Sequence, residues 1–165
     1  EGDWTVNDIT DQIDYSRYFG GAGCVFFRAE HVLDNTKGLY DELKNHYYKY
    51  PAQLPPLAWL DSSVPPAPEP LRVERKGAEL LLTWQKPDSL KEDLSYTVYY
   101  SLRDTLDTAS ARNILITGIR DTSVYLPVDT LREQGFLFSV SASSRYHIES
   151  LPSRETYYYL SRYPK

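Results

Sequence analysis

The chain has 165 residues, 41% hydrophobic and 25% charged, with a formal net charge of -5; that is enough apolar material for a packed core and argues against disorder. Acidic and basic residues are mixed along the sequence, so no basic stripe is available to displace counterions from phosphate, which argues against nucleic acid as a partner. No apolar run approaches the ~20 residues of a membrane-spanning helix, so no transmembrane segment is expected.

In chain order, Thr5-Val6-Asn7-Asp8 has the form of a capping box, a hydroxyl followed three residues later by an acid. Val6, Ile9 and Ile13 then recur at helical spacing, and Gly20-Gly21 supplies a stop. The continuous apolar run Cys24-Val25-Phe26-Phe27 shows no alternation and predicts a strand buried on both faces, as in a parallel sheet. Cys24 is the sole cysteine, which excludes an intrachain disulfide, and its setting predicts a buried, inert thiol. Leu39, Leu43 and Tyr47 share a face of a second helix expected from about Thr36 to Tyr48, with Pro51 just past its end. Helix, buried strand, helix is a fragment of α/β logic that lacks neighbouring strands.

Pro65-Pro66-Ala67-Pro68-Glu69-Pro70 reads as a stiff extended linker, because each proline fixes φ and lacks an N–H. From Leu71 onward the period switches to two. Leu80, Leu82 and Trp84 form one inward set; Tyr96, Val98 and Tyr100 form another; Phe136, Phe138, Val140 and Ala142 form a third. Asn113 to Ile119, Ser123 to Val128 and Thr156 to Leu160 supply further short strands. About seven strands with this alternation predict a two-sheet sandwich. The same alternation turns Tyr99, Tyr157 and Tyr159 away from the interior, beside small Ser139 and Ser141. An exposed aromatic patch there would stack on a glycan or pack against a neighbouring domain. The 15 tyrosines fit strands, contact surfaces or sugar platforms, and composition does not choose among them.

Leu80-x-Leu82-x-Trp84, Tyr96-x-Val98-x-Tyr100 and Phe136-x-Phe138-x-Val140-x-Ala142 followed by Glu149-Ser150-Leu151-Pro152-Ser153 resemble the second, third and sixth strands of fibronectin type III domains. Phe136 stands where that family usually has a tyrosine whose hydroxyl bonds back to the turn, so the tyrosine corner is absent or remade. The opening third of the chain resembles something narrower. Gly23-Cys24-Val25-Phe26-Phe27-Arg28-Ala29, Gly38-Leu39-Tyr40-Asp41, Tyr47-Tyr48-Lys49-Tyr50-Pro51-Ala52, Pro55-Pro56 and Trp59-Leu60-Asp61 together resemble the end of the catalytic barrel in bacterial family-10-like glycosyl hydrolases, many of them lipoproteins.

The resemblance implies a mainly β chain: 1–64 as the C-terminal remnant (helix-strand-helix) of a (β/α)8 TIM barrel, 65–70 as linker, and 71–163 as a fibronectin type III-like (immunoglobulin-like) β-sandwich. It implies a parent hydrolase in carbohydrate metabolism, periplasmic or at the cell surface through a lipid anchor, with most barrel strands upstream. Arg28, Glu30 and His31 would line the cleft rim, or be an ordinary polar exit from a strand. Glycoside hydrolysis needs two carboxyl groups roughly 5–10 Å apart, and no second one has a defined position here, so no catalytic residue is assigned and the chain alone is expected to be inactive. His31, His46 and His147 are scattered, which predicts no metal site, and no cofactor is expected. The expected partners are the missing upstream catalytic barrel, a polysaccharide, and another copy of the chain through the orphan strand Cys24–Ala29. A chain beginning at Glu1 with no methionine and no signal-peptide pattern reads as processed or cut from something longer. The alternative is a free-standing adhesion or protein-binding module of fibronectin type III type.

Overall fold

A computed structural model describes residues 3–21, 23–87, 93–102, 105–128 and 135–159. The chain divides into two compact units, Glu1–Lys49 and Tyr50–Lys165.

The first unit is helical. α1 (Val6–Tyr18) opens on the expected capping box: the Asp8 backbone N–H donates to Thr5 Oγ1 at 3.4 Å, and Thr5 N–H donates to Asp8 Oδ2 at 2.6 Å. It stops before Gly20, which takes a left-handed φ of 76°. α2 (Glu30–Leu33) is one turn. A 3-10 turn (Thr36–Gly38), α3 (Leu39–Glu42) and a π-turn (Leu43–Tyr47) fill the span expected to be a second helix. Ile13, Leu39 and Leu43 are buried together, with Trp4, Val6, Ile9, Phe26, Val32 and Tyr47 packed around them. The helical periodicities therefore meet in one small core.

The apolar run does not form the expected strand. Residues 23–29 are irregular; Val25 and Phe27 are 98% and 90% exposed, and Cys24 is exposed where a buried thiol was expected. A strand needs a second row of backbone donors and acceptors, and among the described residues this unit holds no other strand to supply it. Only Phe26 finds the core.

The second unit is mainly β, with seven strands among the described residues. β1 (Arg72–Lys76), β2 (Glu79–Thr83) and β5 (Ser123–Pro127) form one antiparallel sheet in the order β1-β2-β5. β4 (Ile114–Ile119), β3 (Ser95–Ser101), β6 (Gly135–Ser143) and β7 (Thr156–Tyr159) form the other, in the order β4-β3-β6-β7. Leu160 lies outside the described residues. Leu80, Leu82, Tyr96, Val98, Phe136, Phe138, Val140 and Ala142, drawn from both sheets, share one core with Trp84, Leu71, Leu94 and Leu126. Two antiparallel sheets facing one interior is the arrangement of a β-sandwich. Trp84 meets Tyr96 edge-on, centroids 5.4 Å apart. Phe136 is also in this core, 5.9 Å from the Phe138 ring. In the proline segment, Pro65 and Pro68 are buried.

Candidate functional site

Arg28, Glu30 and His31 do come together in the first unit. Arg28 sits at a left-handed φ of 68°, which turns the chain from the irregular run into α2. Its Nη1 lies 3.7 Å from Glu30 Oε1 in an exposed pair. His31 packs edge-on against Trp4 at 5.9 Å, and Lys37 lies 4.9 Å above the same indole. Trp4, Ile9, Phe26, Arg28, His31 and Leu39 help to line a recess of about 120 Å³. Glu30 stands outside that lining, and no carboxylate belongs to it. The recess is lined mainly by apolar side chains together with Arg28 and His31. Trp4 was not foreseen as part of this site, because a lone aromatic before a helix cap carries no spacing signal.

The aromatic patch is only partly where strand alternation places it. Tyr157 and Tyr159 are 59% and 56% exposed on β7. The Tyr157 ring reaches across the neighbouring strand to Gly135, where an added Cβ would stand 2.2 Å from the phenol oxygen. Tyr99 does turn away from the sandwich interior, but it is 1% exposed, which corrects the expectation that it joins the patch. Ser139 and Ser141, expected to face outward, are equally buried. Two segments account for this: Ser139 Oγ donates to Ser153 O at 2.8 Å in the stretch between β6 and β7, and a strap formed by the first residues of this unit lies beside Tyr99. Gln53 Nε2 donates toward Thr97 Oγ1 (3.2 Å), Tyr99 Oη (2.6 Å) and Glu149 Oε1 (2.9 Å), and Leu57 N–H donates to Tyr146 O at 2.9 Å. The hydroxyls of Tyr99 and Ser141 both donate to Glu149 Oε1. Burial, with the bond to Glu149 second, holds the Tyr99 phenol well above its ordinary pKa. This partly buried polar cluster ties the strap to the sheet and to the segment that carries Glu149.

Gln53 and Glu149 were missed as partners because they lie 96 residues apart in sequence and on no shared period. Among the described residues no group of His, Cys, Asp and Glu could hold a metal ion, and no helix is long and apolar enough to cross a membrane.

No protein-family profile matches the chain. What it is similar to is a glycosyl hydrolase. That relative is the glycosyl hydrolase YngK of Bacillus subtilis (strain 168), 26% identical over 137 residues; the match takes in 81% of this chain and 26% of YngK, so the chain spans about a quarter of its relative's length. Among solved structures, the family 28 exopolygalacturonase of Yersinia enterocolitica overlaps with a TM-score of 0.45 and 14% identity, over 60% of this chain and 21% of that one. The spore cortex lytic enzyme SleM of Clostridium perfringens gives 0.39 and 20%, over 59% and 28%. At such scores these overlaps say nothing about chemistry.

Proposed function

We propose that the chain is the non-catalytic C-terminal portion of a bacterial glycoside hydrolase, supporting and spacing a catalytic barrel that lies upstream. The observation that carries this reading is the similarity to YngK across most of the chain but about a quarter of YngK's length. In this reading residues 1–64 are the end of a barrel, 65–70 a linker and 71–163 a fibronectin type III-like domain. The division into three- and four-stranded sheets supports the last assignment. The exposed run around Val25 and Phe27 is what a final barrel strand would look like without its neighbours. Arg28, Glu30 and His31 would then lie at the rim of the completed cleft, and Tyr157 and Tyr159 would contact glycan or the barrel. The location that goes with such a parent is the periplasm or cell surface, through a lipid anchor.

Incubating the chain with a panel of chromogenic glycosides tests the reading. No turnover is expected; hydrolysis above a heat-denatured control would overturn it. The full open reading frame is a second test, since an upstream sequence without barrel-type strand and helix alternation would favour a free-standing binding module.

A further inference from the structure

One end of the four-stranded sheet carries a recess of about 210 Å³ that none of the roles above uses. Gln53 of the strap, Ser95 of β3, Thr117 of β4, Ser143 of β6, Arg120 and His147 are among its lining residues. Three features of the backbone build it. Tyr96 pairs with Ile119 but Val98 pairs with Ile116, so β4 carries an extra residue against β3. Gly118 absorbs this bulge at a φ of 78°, and bulges of this kind re-aim the side chains beside them. Opposite, His147 sits at a left-handed φ of 61° in a turn fastened by its own N–H to Ser144 O (2.9 Å) and by Ser144 Oγ, which accepts from Tyr146 and Ile148 N–H at 3.3 Å. A histidine held at positive φ is uncommon and points to a position fixed by its surroundings.

The charge of the lining is the informative part. The chain holds 23 acidic against 18 basic residues, yet no Asp or Glu lines this recess, while Arg120 and His147 do. Arg120 makes no ion pair among the described residues. Arg120 also lines a second recess, together with Asp93 and Lys86. Thr117, Ser95 and Ser143 contribute hydroxyls; that of Thr117 is shared with Thr97 Oγ1 at 2.9 Å and keeps part of its donor and acceptor capacity. The Gln53 amide nitrogen is spent on Thr97, Tyr99 and Glu149, and its amide oxygen has no partner among the described residues.

We propose that this recess binds a carboxylate-bearing sugar unit, with the Arg120 guanidinium on the carboxylate and the Thr117, Ser95 and Ser143 hydroxyls on the ring hydroxyls. A planar guanidinium can grip a carboxylate through two parallel N–H bonds. The volume suits a single monosaccharide residue at a chain end or branch. The preference for an anion follows from the lining alone; the choice of a sugar acid rests on the carbohydrate reading above.

The test is an amide NMR titration of the whole chain with D-glucuronate, D-galacturonate, glucose and acetate. At least one uronate is expected to give saturable millimolar shifts at Thr117, Gly118 and His147, with glucose and acetate at least about tenfold weaker. Arg120→Gln should weaken the uronate by about tenfold or more, with Arg120→Lys between the two, and Tyr125→Ala, at an exposed position on the other sheet, should leave it unchanged. Arg120 is exposed, so both substitutions are compatible with folding. The proposal is overturned if neither uronate saturates, if glucose or acetate binds as well, or if Arg120→Gln binds like the parent chain. Arg120 has no part in the hydrolysis or reading-frame tests, so either reading can fail while the other stands.

Discussion

Tyr99 lays its ring on the outer face of the four-stranded sheet and donates its hydroxyl to Glu149, with the Gln53 amide beside it. Burial first, and the Glu149 bond second, raise its pKa above the ordinary value of about 10. The folded state therefore keeps this proton at pH values where the unfolded chain has lost it. Stability is fully present below about pH 10 and falls as pH rises from there toward the folded value. Tyr96, raised by burial alone, adds to the same slope. Tyr99→Phe is expected to make the alkaline loss in urea-unfolding free energy shallower without abolishing it. At neutral pH the same substitution should cost about 0.5–1.5 kcal/mol, because Glu149 loses one of its three donors while Gln53 and Ser141 remain. An unchanged alkaline slope would show that Tyr99 ionises freely in the folded state.

At the scale of elements, β6 (Gly135–Ser143) is the strand on which the sandwich depends. It pairs with β3 on one side and β7 on the other, and Phe138 is fully buried between the sheets. Phe138→Ala should destabilise the sandwich by about 3–5 kcal/mol in chemical denaturation, through lost transfer energy plus a cavity. The strap gives a second, smaller effect. Gln53→Ala removes an amide that reaches three acceptors, and about 1–3 kcal/mol of stability should go with it. That loss should come with faster exchange of the Leu57 amide, which donates to Tyr146. A Gln53→Ala chain with unaltered stability and exchange would mean that the strap is held by something other than this amide. The apolar run before α2 behaves oppositely. Phe27 has so little buried surface that Phe27→Ser should change stability by about 0.5 kcal/mol or less.

For the molecule as a whole, that same exposed run matters more than any buried residue. Val25, Phe27 and exposed Cys24 present apolar side chains on an unpaired backbone, the kind of segment that recruits another strand. Sedimentation velocity should show the chain self-associating as concentration rises, and Val25→Ser with Phe27→Ser should suppress it. Identical profiles for the two chains would remove the segment as a contact. In the proposed parent this surface is covered by upstream barrel strands, so association of the isolated chain and its place in the parent have one physical cause.

Local patterns in the sequence were enough for many features whose physics is local, though the one helix expected over Thr36–Tyr48 breaks at Lys37, which takes a left-handed φ of 56°, and ends in a π-turn. The Thr5–Asp8 capping box, the faces Ile9–Ile13 and Leu39–Leu43, and the alternation Leu80-Leu82, Tyr96-Val98 and Phe136-Phe138-Val140 determined which side chains meet in the two cores. They did so because a helix repeats every 3.6 residues and a strand every two, so burial on one face leaves a periodic trace. Exposure on the opposite face was a matter for tertiary structure. Tyr99, Ser139 and Ser141 point outward as alternation requires and are nevertheless buried. Over Tyr99 lies a strap held by bonds between residues as distant as Gln53 and Glu149. The run Cys24–Phe27 has strand composition but forms no strand in this unit. Whether an outer face is covered, or an extended run finds a partner, depends on pairings between distant segments, and those leave no period in the chain.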